Sequence, residues 1–275
     1  MWSESLTDRE AEYTETAIEG LKGVTWARPV LDRLQQAGGF KSENMPLMFE
    51  VRVAYELHRA GAVAEYEYSA GVGSSTIEFC VQGEIIWLIE LVSVRASQAA
   101  KKAIIQDGFI YKQMLSTDAN DRAQSPEAEM ITAQQKIGEK VFADNAPTKF
   151  PVPRDNFCHV ILTDMRGYLD EGGDWLDYRQ IAYGAPGIPP NYSWATHYWN
   201  TGMGISEPIR GLFEESCPLR ASPFIQERIH FLGFVCERDY REGEIQDISY
   251  YLPNPNLLSD ETAIKLYKEF PLKHR

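Results

Sequence analysis

The sequence predicts an α/β protein in which a mixed central β-sheet is flanked by helices. Segments with apolar residues at helical spacing alternate with short strand-like runs, which is typical of this class. Residues 85–94 (IIWLIELVSV) are nearly all apolar, so they indicate a central strand covered on both faces. Short turns join the first three predicted strands, which should therefore pair antiparallel, whereas strands linked through helices should pair in parallel.

The individual elements follow from periodicity and from turn residues. Strands are predicted over residues 63–71, 75–82, 85–94, 157–164, 230–240 and 244–254. Helices are predicted over residues 7–22, 28–37, 46–61, 97–115, 125–143, 221–231 and 259–269. The last two strands form a C-terminal β-hairpin, and residues 167–208 are predicted as a long loop or insertion because they are rich in Gly, Pro, Tyr and Trp with weak periodicity.

The composition limits the classes of protein and partner. The 275-residue chain carries 27 Lys and Arg against 40 Asp and Glu, a net charge of −13. Such acidity argues against coating nucleic acid by bulk charge, which depends on Lys and Arg displacing counterions, so any DNA contact must be local. Only residues 101–150 balance basic against acidic side chains. The cations of that block are therefore the ones to examine.

Targeting and redox features favour a cytoplasmic protein. No apolar run reaches the roughly 18–20 residues that a membrane span needs, and the polar, acidic N-terminus is unlike a signal peptide. The four cysteines lie far apart without a CxxC pair, so we expect reduced thiols and no zinc cluster.

Three glutamates fall in an order that suggests a metal site. Glu50 lies in the third predicted helix, Glu78 in the second strand and Glu90 in the third strand. Eleven residues separate the two strand glutamates across a tight turn, so a suitable register places them side by side on one face. Glu90 is the only charge in its apolar run, and a buried charge needs a partner or a metal. Converging carboxylates suit a hard cation such as Mg²⁺ or Mn²⁺.

At these residues the sequence resembles the PD-(D/E)XK nuclease superfamily, which has the restriction-endonuclease-like fold. Its members carry a glutamate on a helix, an acid on the second strand of a β-meander, and an acid–x–Lys motif on the third. Here these positions are Glu50 in FEVRVAYELHRAG, Glu78 in STIEFCV and Glu90 in IELVSV. The second-strand acid is usually Asp, and Val92 stands where the motif has lysine.

The resemblance implies a Mg²⁺- or Mn²⁺-dependent endo- or exodeoxyribonuclease in which the three glutamates hold the metal. A lysine from another element would have to replace the missing one. Lys136 and Lys140 are the favoured substitutes because they lie four residues apart and so share a helical face, and Lys101 and Lys102 are further candidates. The acidic surface suggests either a narrow local DNA site or a partner subunit that supplies a basic face.

In this interpretation the chain has three parts. Residues 1–45 form an N-terminal helical segment, residues 46–166 the nuclease-like core, and residues 167–275 a loop-rich extension whose hairpin and helix pack on the same core.

Other interpretations remain open at this stage. Val92 and the net charge of −13 favour a catalytically inactive module of the same fold that binds protein or nucleic acid. An unrelated α/β metal-dependent hydrolase acting on a small phosphorylated molecule is a third possibility. Glu50 alone could be a solvated helix residue, and Glu90 could serve only in structural hydrogen bonding. His159 is interpreted as a core or edge histidine and Asp164 as a turn cap.

Overall fold

A computed structural model describes residues 8–95, 104–107, 110–113, 126–168, 172–184, 209–236, 245 and 247–272. Seven α-helices lie within these residues: α1 (Asp8–Leu21), α2 (Arg28–Gln36), α3 (Met45–Arg59), α4 (Pro126–Glu139), α5 (Trp175–Tyr183), α6 (Ser222–Arg228) and α7 (Asp260–Lys268). The strands are β1 (Ala64–Tyr68), β2 (Ile77–Val81), β3 (Ile86–Ser93), β4 (Ile104–Asp107), β5 (Ile110–Gln113), β6 (Phe142–Ala143), β7 (Ala146–Pro147), β8 (Phe157–Asp164), β9 (Phe231–Val235) and β10 (Ser249–Pro253).

The main sheet has six strands in the order β1-β2-β3-β8-β9-β10. The first three strands pair antiparallel, β3 pairs parallel with β8, β8 pairs parallel with β9, and β10 returns antiparallel to β9. The predicted mixed sheet, its antiparallel start and its C-terminal antiparallel pair are confirmed. The predicted central strand is also confirmed, because six consecutive residues in the middle of β3 are buried.

Alternate side chains of each strand point to opposite faces of this sheet. Both faces are largely apolar, and helices cover both of them. One core contains Ile89 and Leu91 of β3 and apolar residues of α1, α2, α3 and α7. The other contains Leu88 and Val92 of β3 and apolar residues of α4, α5 and α6. Glu90 alternates with Leu88 and Val92, so it belongs to the face that packs against α4.

The predicted helix over 97–115 is wrong where the structure describes this segment. Strands β4 and β5 pair there as an antiparallel hairpin in which Asp107 is opposite Ile110. The sequence carried a strand signal here, because Ile104, Ile105 and Ile110 are β-branched and Tyr111 is aromatic. The rest of 97–115, including Lys101 and Lys102, lies outside the described residues.

The predicted helix over 125–143 is too long at its C-terminal end. Helix α4 ends at Glu139, and Phe142 and Ala143 pair with Ala146 and Pro147 in a small hairpin. Asp144 and Asn145 both have positive φ, 51° and 61°, which is the backbone of a tight hairpin turn that Asp and Asn tolerate. This turn places the chain after α4 on a path back towards the sheet.

The predicted loop over 167–208 contains one helix among its described residues. Helix α5 is capped by Asp174, whose side chain accepts from the N–H groups of Leu176 and Asp177, while Asp177 accepts in return from Asp174. This reciprocal cap satisfies backbone donors that the helix leaves free. Residues 169–171 and 185–208 lie outside the described residues.

Candidate functional site

Strands β2 and β3 separate next to the two strand glutamates. The ladder between them ends at the pair Phe79–Ile89, although β3 continues to Ser93. One step further in the same register, Glu78 faces Glu90. The Glu78 Oε2 atom accepts a hydrogen bond from the backbone N–H of Leu91 at 3.2 Å, in place of a backbone carbonyl. This hydrogen bond fixes the Glu78 carboxylate at the fork, the point where β2 and β3 separate.

Two lysines close over Glu90 within this fork. The Nζ atoms of Lys140 and Lys149 each lie 2.6 Å from Glu90 Oε1, and they lie 3.5 and 3.6 Å from Glu78 Oε1. The Glu90 side chain is 0% exposed, whereas those of Lys140 and Lys149 are 26% and 20% exposed. We call these four residues the Glu–Lys cluster. Its ammonium groups lie between the buried carboxylates and solvent.

The two glutamates of the cluster are electrostatically unequal. Burial, together with the neighbouring Glu78 carboxyl, raises the pKa of Glu90 well above its ordinary value. Burial alone would raise the pKa of Glu78 too, but hydrogen bonding from Glu90, the two ammonium groups and the Leu91 N–H bring it below its ordinary value. Burial opposes the charge of Lys140, yet the carboxyls of Glu90 and Glu78 raise its pKa. Such opposed shifts within one small cluster are common at functional sites.

Glu50 approaches the cluster from the other face of the sheet. Helix α3 carries it, and its Oε2 accepts a hydrogen bond from the Tyr66 hydroxyl at 2.5 Å, with Arg33 Nη1 at 3.6 Å. Burial raises the pKa of Glu50, and the charge of Glu78 adds to this effect while Tyr66 opposes it. Glu50 is therefore electrostatically coupled to Glu78, but the contacts found for it are with Tyr66 and Arg33.

The two favoured lysines have different surroundings. Lys140 is part of the Glu–Lys cluster. Lys136 pairs with Glu139 at 2.8 Å on an exposed face of α4, and both side chains are about half exposed. Because α4 ends at Glu139, Lys140 leaves the helical path and reaches the strands, so the shared helical face that linked the two lysines does not persist. Val92 is buried in the core against α4, two positions from Glu90.

Lys149 is a member of the cluster that the sequence analysis did not identify. It follows the β6–β7 hairpin and has φ +59°, a left-handed conformation that a residue with a side chain rarely adopts. No periodic pattern marks it, since it lies outside every predicted strand and helix. The available signal was its place in the one charge-balanced block of the chain, residues 101–150.

The chemistry of the cluster fits a hard divalent cation. Its acceptors are carboxylates, and Glu90 Oε2 is buried with no hydrogen-bond partner in the part of the chain that the structure describes. Its arrangement, however, is closed. Within the described ranges no three His, Cys, Asp or Glu side chains come together as metal ligands, and the two ammonium groups sit on Glu90 Oε1. A cation held by Glu78 and Glu90 therefore requires an ammonium group to move away.

The remaining sequence candidates have structural roles. His159 is buried, its Nδ1 lies 2.7 Å from the Arg228 carbonyl, and burial together with nearby His230 lowers its pKa to about 3. Asp164 is also buried and its Oδ1 accepts from the Arg166 N–H, with a pKa raised by burial to about 6. The core assignment of His159 is thereby confirmed, and Asp164 does accept a turn N–H.

A second group of buried charges was not predicted. Glu10 of α1 pairs with Arg52 of α3 at 3.2 Å and also contacts Arg166, which follows β8. The Glu10 and Arg52 side chains are fully buried. This network joins α1 and α3 to the end of the sheet, so it supports the helix that carries Glu50.

Comparison with protein-family models, with curated proteins and with solved structures gave no match. No helix within the described ranges has both the length and the apolar character that crossing a membrane requires. The functional argument therefore depends on the geometry of the Glu–Lys cluster and on the residues from which the resemblance was drawn.

Proposed function

We propose that this protein is a divalent-metal-dependent nuclease that hydrolyses phosphodiester bonds in DNA, with a restriction-endonuclease-like core. The observation that carries the proposal is the buried Glu78–Glu90 pair at a strand fork, with two lysines at its mouth. Carboxylates and amines together match the needs of phosphodiester cleavage, which uses oxygen ligands for a metal and positive charge for the phosphate.

Burial of this pair is difficult to explain by stability alone. Removing a carboxylate from water costs several kcal/mol, and apolar residues of similar volume are often as stable or more stable at such a position. Glu90 lies between Leu88 and Val92, which belong to the hydrophobic core packed against α4. A charged cluster beside such a core favours a functional role, because strongly shifted pKa values from burial and a specific charged neighbour are concentrated at active sites.

The order of elements around the cluster also supports the proposal. Helix α3 carries Glu50, the antiparallel strands β1, β2 and β3 follow, and α4 then leads to β8, which is parallel to β3. The three glutamates thus occupy the helix, the second strand and the third strand, as the resemblance implies.

In this proposal Glu78 and Glu90 hold Mg²⁺ or Mn²⁺, and Glu50 acts on the site through its electrostatic interaction with Glu78. A metal bound there would supply Lewis acidity and an activated water. The reaction forms a bond from the water oxygen to phosphorus and breaks the bond from phosphorus to one sugar oxygen. One water proton ends on the released alcohol, and the other stays with the phosphomonoester or passes to solvent. The lysine ammonium groups stabilise the negative charge on the phosphate.

DNA is the proposed substrate because of the resemblance, and the net charge of −13 shapes how it would be bound. Affinity from bulk charge is excluded, so binding would depend on the local cations of the site or on a partner subunit with a basic face.

The test is cleavage of supercoiled plasmid with Mg²⁺ or Mn²⁺ by the wild type, Glu90→Gln and Glu78→Gln. We expect nicking or linearisation by the wild type and a loss of at least 100-fold in both variants. Glu65→Gln on the exposed face of β1 is the matched control and should cleave as the wild type does. Activity that survives Glu90→Gln would remove Glu90 from the site and contradict the proposal.

A second function, a catalytically inactive module of the same fold, is favoured by one observation. The two ammonium groups already contact Glu90 Oε1, in addition to the replacement of the motif lysine by Val92 that the sequence shows. This function predicts neither plasmid cleavage nor calorimetric heat on adding Mn²⁺. Turnover of a small phosphoester without DNA cleavage would instead indicate a small-molecule hydrolase.

A further inference from the structure

The two lysines of the Glu–Lys cluster are anchored in different ways. They are equally close to Glu90, so distance to the carboxylate does not distinguish them. What distinguishes them is the number of further contacts that hold each residue in its place.

Lys149 is held by its backbone and by its side chain. Its backbone N–H donates to Ser75 Oγ at 2.9 Å, and its Nζ donates to the Thr76 carbonyl at 2.9 Å. Ser75 and Thr76 directly precede β2, which carries Glu78. The next residue, Phe150, is fully buried, and its carbonyl accepts from Arg228 at 2.7 Å.

The backbone of Lys149 supports the same conclusion. A left-handed φ of +59° at a residue with a side chain is strained and persists only where surrounding contacts determine it. These contacts fix the position of the amine relative to the strand fork before any substrate arrives. A preorganised positive charge of this kind stabilises developing negative charge without reorganisation during the reaction.

Lys140 has fewer constraints. It follows the end of α4, where its backbone N–H donates to the Ile137 carbonyl at 3.2 Å. The contacts found for its Nζ within the described residues are with Glu78 and Glu90. Its side chain is 26% exposed, so rotation of its flexible stem carries the amine into water.

From this difference we infer that Lys149 is the fixed catalytic lysine of the site, and that Lys140 is an exchangeable lysine that must leave Glu78 and Glu90 before a divalent ion binds. The inference rests on the proposed function and assigns different roles to two residues of that site. It also explains how a closed cluster can become a metal site, since only the less anchored ammonium group needs to move.

Calorimetric titration with Mn²⁺ alone tests the role of Lys140. Lys140→Gln removes the competitor, so we expect Mn²⁺ to bind at least tenfold more tightly than to the wild type. Lys149→Gln leaves Lys140 in place and should give a clearly smaller gain. Lys136→Gln removes a charge from the same helix but outside the cluster, and it should bind Mn²⁺ as the wild type does. Equal affinities for Lys140→Gln and Lys136→Gln would overturn the exchangeable role.

Plasmid cleavage at saturating Mn²⁺ tests the role of Lys149. We expect a loss of at least 100-fold in Lys149→Gln and of less than tenfold in Lys140→Gln. Lys149→Arg is the variant that keeps the positive charge. Far-UV circular dichroism and urea unfolding verify that each variant is folded. The reverse order of losses among folded variants would overturn the assignment.

The outcomes separate this inference from the function beneath it. If the wild type neither binds Mn²⁺ nor cleaves, the proposed function fails and takes the inference with it. If the wild type cleaves in a Glu90-dependent way but the two lysine variants behave alike, only the division of roles fails.

Discussion

The buried histidine of β8 gives a quantitative prediction about acid stability. His159 is 0% exposed, its ring contacts the Arg228 carbonyl, and its pKa is lowered to about 3. We choose His159→Gln as the perturbation, because glutamine retains a donor for the Arg228 carbonyl but does not titrate.

The sign and size follow from linkage between protonation and folding. The unfolded chain takes up a proton at His159 below its ordinary pKa of about 6.5, whereas the folded protein does so only near pH 3. Stability is therefore fully present above pH 6.5 and falls as the pH drops towards 3. Two pH units below 6.5, at pH 4.5, the loss from this one group is about 2.5 kcal/mol relative to pH 7, at roughly 1.36 kcal/mol per unit.

Other groups titrate in the same range, so the comparison must be between variants. Burial raises the pKa of Asp164 to about 6 and of Asp177 to about 7, and both groups make the fold more stable as the pH falls. His230, whose pKa burial lowers to about 4, acts in the same direction as His159. The contributions of Asp164 and Asp177 are common to the wild type and to the variant and largely cancel in the difference, whereas His230 contacts His159 and its contribution changes with the substitution.

The assay is urea unfolding at pH 7 and at pH 4.5. From pH 7 to pH 4.5 the wild type should lose about 2.5 kcal/mol more than His159→Gln does, whatever the variant costs at pH 7. His58→Gln, at an exposed position of α3, is the matched control and should follow the wild type. If wild type and His159→Gln lose the same stability, His159 is not the buried neutral group described here.

Three further predictions concern the contacts that support the site. Glu10→Gln should destabilise the protein by about 3 kcal/mol in urea unfolding, because it removes one partner of a buried ion pair, whereas Glu12→Gln on the exposed side of α1 should have no measurable effect. Tyr66→Phe should lower the free energy of unfolding by about 1.5 kcal/mol in urea unfolding, because the buried Glu50 carboxyl loses a hydrogen bond. Asp174→Ala should cost about 1 kcal/mol in urea unfolding by removing the N-cap of α5, and plasmid cleavage should stay unchanged.

The sequence predicted those features that depend on local patterns. Alternating apolar residues and the spacing of turns were enough to predict that β1, β2 and β3 pair antiparallel. The position of Glu78 opposite Glu90 followed from the short hairpin between β2 and β3, whose register is fixed by burial on both faces. The apolar run of β3 indicated its central position for the same reason, because a strand buried on both faces leaves no polar alternation.

The missed features depend on contacts between distant residues or on left-handed backbone. Lys149 meets Glu90 because the tight turn after α4 redirects the chain, and no periodicity records that path. The shared helical face predicted for Lys136 and Lys140 was wrong because helical spacing was extended past the true end of α4. Glu10 contacts Arg166 across 156 positions of sequence, a separation at which single-sequence patterns carry no information.

The charges of the Glu–Lys cluster bear on how an acidic protein could bind a polyanion. With both carboxyls ionised, the two negative charges of Glu78 and Glu90 balance the two positive charges of Lys140 and Lys149. With Glu90 protonated, as its raised pKa favours, the cluster carries one positive charge. In either state the cluster attracts a phosphate less than a metal-loaded cluster would, on a protein whose net charge is −13. Under the proposed function, a bound divalent ion makes the same cluster positive by two charges, and a displaced Lys140 carries one of the positive charges towards solvent. Attraction for DNA is then strongest when the metal is bound, which favours binding at the loaded site and makes bulk basicity unnecessary.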